Sequence, residues 1–201
     1  ALSGLPYVHI HDLYEAYADF NIQVEREKGL LDMAQVLVWQ HPFYMFGAPP
    51  LLTQWLDLVL EFGWAHGRDG NALKDKWVLN TITTGGVSES YCATGRNRYP
   101  LNDFLIPFAQ TARQCKMVYL PPFAVQGTYR LSDADLAVQA ERYRTLLERI
   151  ALGRTDAEAL KKAEKMGKDI KGDAGNTAGK VFSGENMTRA FWLLIGMWIL
   201  G

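Results

Sequence analysis

The chain has 201 residues, 48% of them hydrophobic and 21% charged, enough to bury one sizeable core as a single domain with appendages. A formal net charge of −1, with no basic block interleaved with aromatics, argues against a nucleic-acid binder. Cys92 and Cys115 form no CxxC pair, which leaves no zinc finger, iron–sulfur cluster or disulfide framework. No signal peptide is read, so a reducing cytoplasm is the expected setting.

Tyr7-Val-His-Ile-His-Asp-Leu13 alternates and predicts a strand, with His9 and His11 on one face. No acidic or sulfur partner stands at a ligand-like spacing, so the two histidines read as exposed polar positions rather than metal ligands. Tyr14 to Asn21 reads as a loop and Val24 to Met33 as a helix. Val36-Leu-Val-Trp-Gln follows as a β-branched apolar run, the pattern of a strand buried on both faces, and His41-Pro42 stops it. Phe43, Tyr44, Met45 and Phe46 then come without period, Gly47 permits a turn, and Pro49-Pro50 opens a helix from Leu51 to Phe62. Such a loop leaves the carboxyl end of a strand, where open α/β sheets bind ligands, and its aromatic and thioether groups suit a flat conjugated one. The alternative is a strand-to-helix connection whose aromatics plug the core.

Gly63 to Asn71 is glycine-rich and too polar for a core, and reads as a long functional loop. Trp64 there needs a cleft or partner to cover it, and His66 is an acid–base candidate or a structural side chain. Lys76 to Ile82 predicts another parallel strand, followed by Thr83-Thr-Gly-Gly-Val-Ser-Glu-Ser-Tyr91. Paired glycines after a strand let backbone N–H groups approach a ligand, although the pattern is neither GxGxxG nor a Walker loop. Leu101 to Lys116 has helical spacing, Met117 to Leu120 is a short last strand stopped by Pro121-Pro122, and Ser132-Asp-Ala-Asp135 starts a helix to about Leu152. Residues 1–153 thus read as one α/β domain. Residues 154–189 read as a helical and flexible linker, and 190–201 as an apolar segment, either a hydrophobic tail or the start of a membrane span. Removing everything after Gly153 is expected to leave the domain folded.

The segments Gln40-His-Pro-Phe-Tyr-Met-Phe-Gly-Ala-Pro-Pro50, Gly63-Trp-Ala-His-Gly67, Thr83-Thr-Gly-Gly86 and Leu120-Pro-Pro-Phe123 resemble the NAD(P)H:quinone oxidoreductases. The likeness is closest to the cytoplasmic ancillary subunits of bacterial glutathione-gated potassium efflux systems. It runs from about Tyr7 to Leu152 and implies a flavodoxin-like parallel sheet in the order 2-1-3-4-5 with helices on both faces. It also implies FMN or FAD as cofactor, NAD(P)H as co-substrate, a quinone acceptor, a homodimer, and a potassium efflux transporter as partner at the inner face of the cell membrane. By this resemblance Phe43, Tyr44, Met45 and Phe46 contact the flavin ring, and Thr83, Thr84, Gly85 and Gly86 form the second flavin loop. Tyr91 falls at the substrate pocket as the catalytic candidate, and Trp64 lies in a loop that caps it. The family's first strand and its Ala-His-Pro…Ser-x-x-Asn phosphate loop have no counterpart before Tyr7. Ser183-Gly-Glu-Asn186 repeats only the spacing. The central strand is therefore expected to be absent, and the chain by itself poorly folded and inactive.

Overall fold

The computed structural model describes residues 2, 5, 7–151 and 192–196. Its centre is a parallel sheet in the order β1-β6-β2-β3-β4, with β5 also paired to β3. The strands are β1 (Val8–Asp12), β2 (Val36–Pro42), β3 (Trp77–Thr84), β4 (Val118–Tyr119), β5 (Phe123–Gln126) and β6 (Trp192–Gly196). Alternation along β2 decides which face each side chain serves. Leu37 and Trp39 enter one cluster with α1 (Leu13–Ala16), α2 (Val24–Met33), α3 (Pro50–Val59) and α5 (Ile106–Gln114). Val36 and Val38 enter the other, beneath Tyr143, Leu147 and Ile150 of α6 (Asp133–Ala151). Each large side chain so buried contributes about 1.5–3 kcal/mol, which is why both faces of β2 read apolar.

Local chemistry sets the boundaries. The α2 bounds match the sequence expectation, and Ser132 and Asp135 cap α6 reciprocally, the Asp135 N–H donating to Ser132 Oγ at 3.2 Å and the Ser132 N–H to Asp135 Oδ2 at 3.0 Å. The helix expected over Leu101 to Lys116 is broken into α4 (Leu101–Phe104) and α5, because Pro107 has no N–H to carry the helical ladder on and is tolerated only in the first turn of a new helix. The last strand is likewise split. β4 pairs Trp77 and Val78 of β3, whereas β5 pairs Thr81 to Thr84, and Pro121-Pro122 stands between them on this edge.

The apolar C-terminal segment departs from expectation. Trp192–Gly196 lies inside the sheet, in register with Val8–Asp12 on one side and Val36–Gln40 on the other. It takes the central position that the order 2-1-3-4-5 gives to a first strand. The physical reason is the pair of inner edges on β1 and β2, whose N–H and C=O groups need a ladder partner. Among the described residues no helix is long and apolar enough to cross a membrane. The linker assigned to 154–189 lies outside the described residues.

A second departure concerns β1. His11 is buried, and its Nε2 lies 2.9 Å from Glu27 Oε1 of α2. Glu27, fully buried, also accepts hydrogen bonds from Tyr17 Oη and, at 2.8 Å, from Trp55 Nε1. Burial alone would raise this carboxyl's pKa. The bonds from His11, Tyr17 and Trp55 outweigh it and hold the group below the usual range. His11 is therefore an internal tie between β1 and two helices, and His9 stacks on it at 6.2 Å between ring centroids.

Candidate functional site

The site is built where β2 and β3 end side by side. Register pairs Pro42 with Thr83, and the Phe43 N–H donates to Thr83 O at 2.8 Å, so the aromatic loop and the threonine–glycine loop begin as one ledge. Beyond it the chain reverses at Tyr44–Gly47, closed by the Gly47 N–H to Tyr44 O at 2.9 Å. Both central residues, Met45 (φ 46°) and Phe46 (φ 66°), lie in the left-handed region. Turns of this kind favour Asn-Gly, and each bulky residue held there costs about 1–2 kcal/mol. Phe46 recovers part of the cost by stacking on Phe104 of α4, centroids 5.2 Å apart at 22°. Met45 recovers none, being 91% exposed. Backbone strain of this kind clusters at functional sites, and the turn lies at the carboxyl edge of the sheet.

Phe43 contacts Phe104 (5.8 Å) and Tyr91 (6.1 Å), and Tyr99 meets Phe104 at 6.0 Å. The structure thus brings Phe43, Phe46 and Tyr91 into one aromatic group, together with Phe104 and Tyr99, which the sequence reading did not single out. Thr83 is exposed and Thr84 buried, its Oγ1 donating to Gly86 O at 2.7 Å, while the Gly127 N–H donates to the same oxygen at 2.9 Å. A Cβ on Gly85 would stand 2.5 Å from the Tyr129 ring, and one on Gly86 3.1 Å from the Tyr91 ring. Glycine there lets two tyrosines lie against the backbone. Tyr129, 91% exposed, is a further aromatic that the sequence reading passed over.

Beneath the ledge runs a buried polar chain. Tyr119 Oη donates to Asn80 Oδ1 at 2.7 Å, and Asn80 Nδ2 lies 3.1 Å from His41 Nε2. His41 Nδ1 lies 3.0 Å from Pro42 O. A carbonyl only accepts, so Nδ1 carries the proton and Nε2 accepts from the amide; the imidazole is neutral. His41 is 2% exposed and stacks on Phe108 at 5.3 Å, and burial pushes its pKa down to about 4, against a backbone bond to Pro42 that acts the other way. Between its ordinary 6.5 and about 4 the unfolded chain binds this proton more readily than the folded one. Stability present above that window is lost as pH falls through it, by about 3 kcal/mol in full. Urea unfolding from pH 7 to 4 should show this acid-sensitive share in the native chain and not in His41→Phe. Equal acid slopes in both would refute it.

Trp64 is placed elsewhere. Its loop joins the end of α3 to the start of β3, which pairs with Val36, the first residue of β2, whereas Phe43 follows the last. Lys116 Nζ fastens that loop to Gly67 O and Gly70 O at 3.1 and 2.7 Å, and Lys28 Nζ sits 5.4 Å above the Trp64 ring. Within one chain, Trp64 is thus at the opposite edge of the sheet from Phe43 and Tyr91. His66 belongs to the same edge, with Gln114 Nε2 3.2 Å from its Nδ1. Among the described residues no group of acidic, His and Cys side chains is arranged to hold a metal ion.

Residues 1–147 match the family described as Flavodoxin-like fold. The chain belongs to that family. Over 136 residues, 68% of this chain and 74% of the relative, it is 46% identical to the glutathione-regulated potassium-efflux system ancillary protein KefG of Pectobacterium atrosepticum. The crystal structure of general stress protein 14 of Treponema denticola, in complex with FMN, is similar at 36% identity and a TM-score of 0.61, covering 76% of this chain and 81% of that one. An NADPH-quinone reductase from P. pentosaceus shares the fold at 24% identity and a TM-score of 0.57, covering 67% and 92%. In flavodoxin-like sheets the carboxyl ends of the central strands are the ligand edge, and the Phe43–Phe46 and Thr83–Gly86 loops stand there.

Proposed function

We propose that the chain is a flavin-dependent NAD(P)H:quinone oxidoreductase that binds the flavin ring between Phe43–Phe46 and Thr83–Gly86. The observation that carries this reading is the shared ledge: two ligand-type loops locked by the Phe43 N–H to Thr83 O bond, with Tyr91 6.1 Å from the Phe43 ring. These residues fit a flat conjugated group. The strained turn leaves Met45 open, and Gly85 and Gly86 let the Tyr129 and Tyr91 rings lie against the backbone of the second loop, adding flat aromatic surface beside it. A bound flavin, FMN or FAD, would supply two-electron chemistry between NAD(P)H and quinone. The chain's part is to hold the ring and to offer backbone N–H groups where negative charge develops. Tyr91 would present its hydroxyl to the quinone oxygen. A homodimer fits the same reading, since Trp64 cannot cap its own chain's site and the partner's Trp64 would have to do so, and the neighbouring Phe62 is 79% exposed.

The test supplies FMN in large excess, so that occupancy is set by mass action. Quinone-dependent oxidation of NAD(P)H should appear only with added flavin. Tyr91→Phe should lower kcat/KM roughly tenfold, the value of one hydrogen bond made in the transition state, and leave flavin affinity unchanged. Absence of flavin-dependent turnover would count against the reading. A second reading, a regulatory subunit docking on a potassium efflux transporter, is favoured by the 46% identity to an ancillary protein. Transporter gating by the Tyr91→Phe variant separates the two roles.

A further inference from the structure

The buried chain Tyr119–Asn80–His41 ends on one atom, Pro42 O, which accepts from His41 Nδ1–H at 3.0 Å and from the Tyr44 N–H at 3.1 Å. That carbonyl is the last of β2 before the aromatic loop, and the next N–H, of Phe43, is fixed on Thr83. His41 pairs in register with Ile82, and Asn80 precedes Thr83 by three residues on the neighbouring strand. The imidazole therefore links the roots of both loops. We propose that His41 is a positioning residue for the flavin-ring site, setting the Tyr44–Gly47 turn through Pro42 O in its neutral, Nδ1-protonated form. This rests on the flavin reading above.

The direction of the bonds supports it. Tyr119 donates to Asn80, Asn80 to His41, and His41 to Pro42, so each bond polarises the next and every polar atom in the chain is satisfied. A proton on Nε2 in place of Nδ1 would set two donors face to face at Asn80 and leave a bare Nδ1 against the Pro42 carbonyl, and turning the Asn80 amide relieves only the first. Stacking on Phe108 fixes the ring plane. Only one tautomer in one orientation satisfies this chain, which is what a positioning group requires.

The test uses the full chain with three substitutions. His41→Phe keeps the ring volume and removes both polar atoms. His41→Asn puts an amide donor near the place of Nδ1, and Tyr119→Phe cuts the chain at its half-buried outer end. FMN is titrated into each, and amide hydrogen exchange is followed at Tyr44 and Gly47. His41→Phe should weaken FMN binding by about tenfold or more, equivalent to ~1.4 kcal/mol, and should speed exchange at Tyr44 and Gly47. His41→Asn should recover most of both, and Tyr119→Phe should fall between. Imidazole nitrogen shifts in the native chain should report a proton on Nδ1. If His41→Phe fails to fold, the ranking of His41→Asn against Tyr119→Phe decides the matter, and equal values with native exchange overturn the proposal. Unchanged FMN affinity and unchanged exchange in a folded His41→Phe overturn it directly. Should the native chain show no saturable FMN binding, the flavin reading fails, and the exchange data alone decide whether His41 sets the turn.

Discussion

A chain ending at Ala151 should lose cooperative unfolding. β6 is paired over five residues on each side, with β1 and with β2, and β1 meets the sheet through β6 among the described residues. Removing it leaves two inner edges whose N–H and C=O groups face no ladder, and an unsatisfied buried group costs about 1–3 kcal/mol. A few such groups equal the whole stability of a typical domain, about 5–15 kcal/mol. What remains for β1 among the described residues is mainly helix packing and the His11–Glu27 bond. Urea unfolding and amide exchange along Val8–Asp12 read this directly. The full chain should unfold in one sigmoidal step with protected β1 amides, and the shortened chain should unfold broadly with unprotected ones. An unchanged midpoint in the shortened chain would show that the C-terminal segment is dispensable, as the apolar pattern first suggests.

The second large effect is expected at Glu27. Glu27→Ala removes the common acceptor of His11, Tyr17 and Trp55, leaves three buried donors unpaired and opens a cavity. A loss of roughly 3–5 kcal/mol follows, as for breaking a buried charged network from one side. Glu27→Gln keeps one acceptor oxygen and should lose about half as much. Chemical denaturation at neutral pH measures both. A loss below about 1 kcal/mol for Glu27→Ala would mean that water replaces the carboxylate and the network is no tie.

What the sequence made legible follows from range. β2 and β3 are apolar runs bounded by proline and by glycine, and α2, α3 and α6 carry their start signals within four residues. The two loops proposed to hold the ring could be located because each directly follows such a strand. Glu27 could not: in Val-Glu-Arg-Glu-Lys it reads as one more charge on a solvated helix, and its partners lie 10, 16 and 28 residues away. Asn80 and His41 carry a signal in the sequence, a strongly polar side chain within a strand that is buried on both faces. Trp64 is expected from the resemblance in a loop that caps the site, but which sheet edge that loop occupies is decided by the course of α3. Residues 192–196 are too few to show in sequence whether an apolar run is a strand, a tail or part of a span.

The central claim is that the aromatic and glycine loops form one flavin-ring surface. Its most direct test is an FMN titration of the full chain followed by NMR, with assigned resonances for Phe43, Met45, Thr83, Gly86 and Tyr91. The account predicts one saturating site per chain whose occupancy shifts these five together, with Trp64 of the same chain perturbed only in the dimer. Titration to excess FMN without saturation, or with shifts confined to other residues, would contradict it.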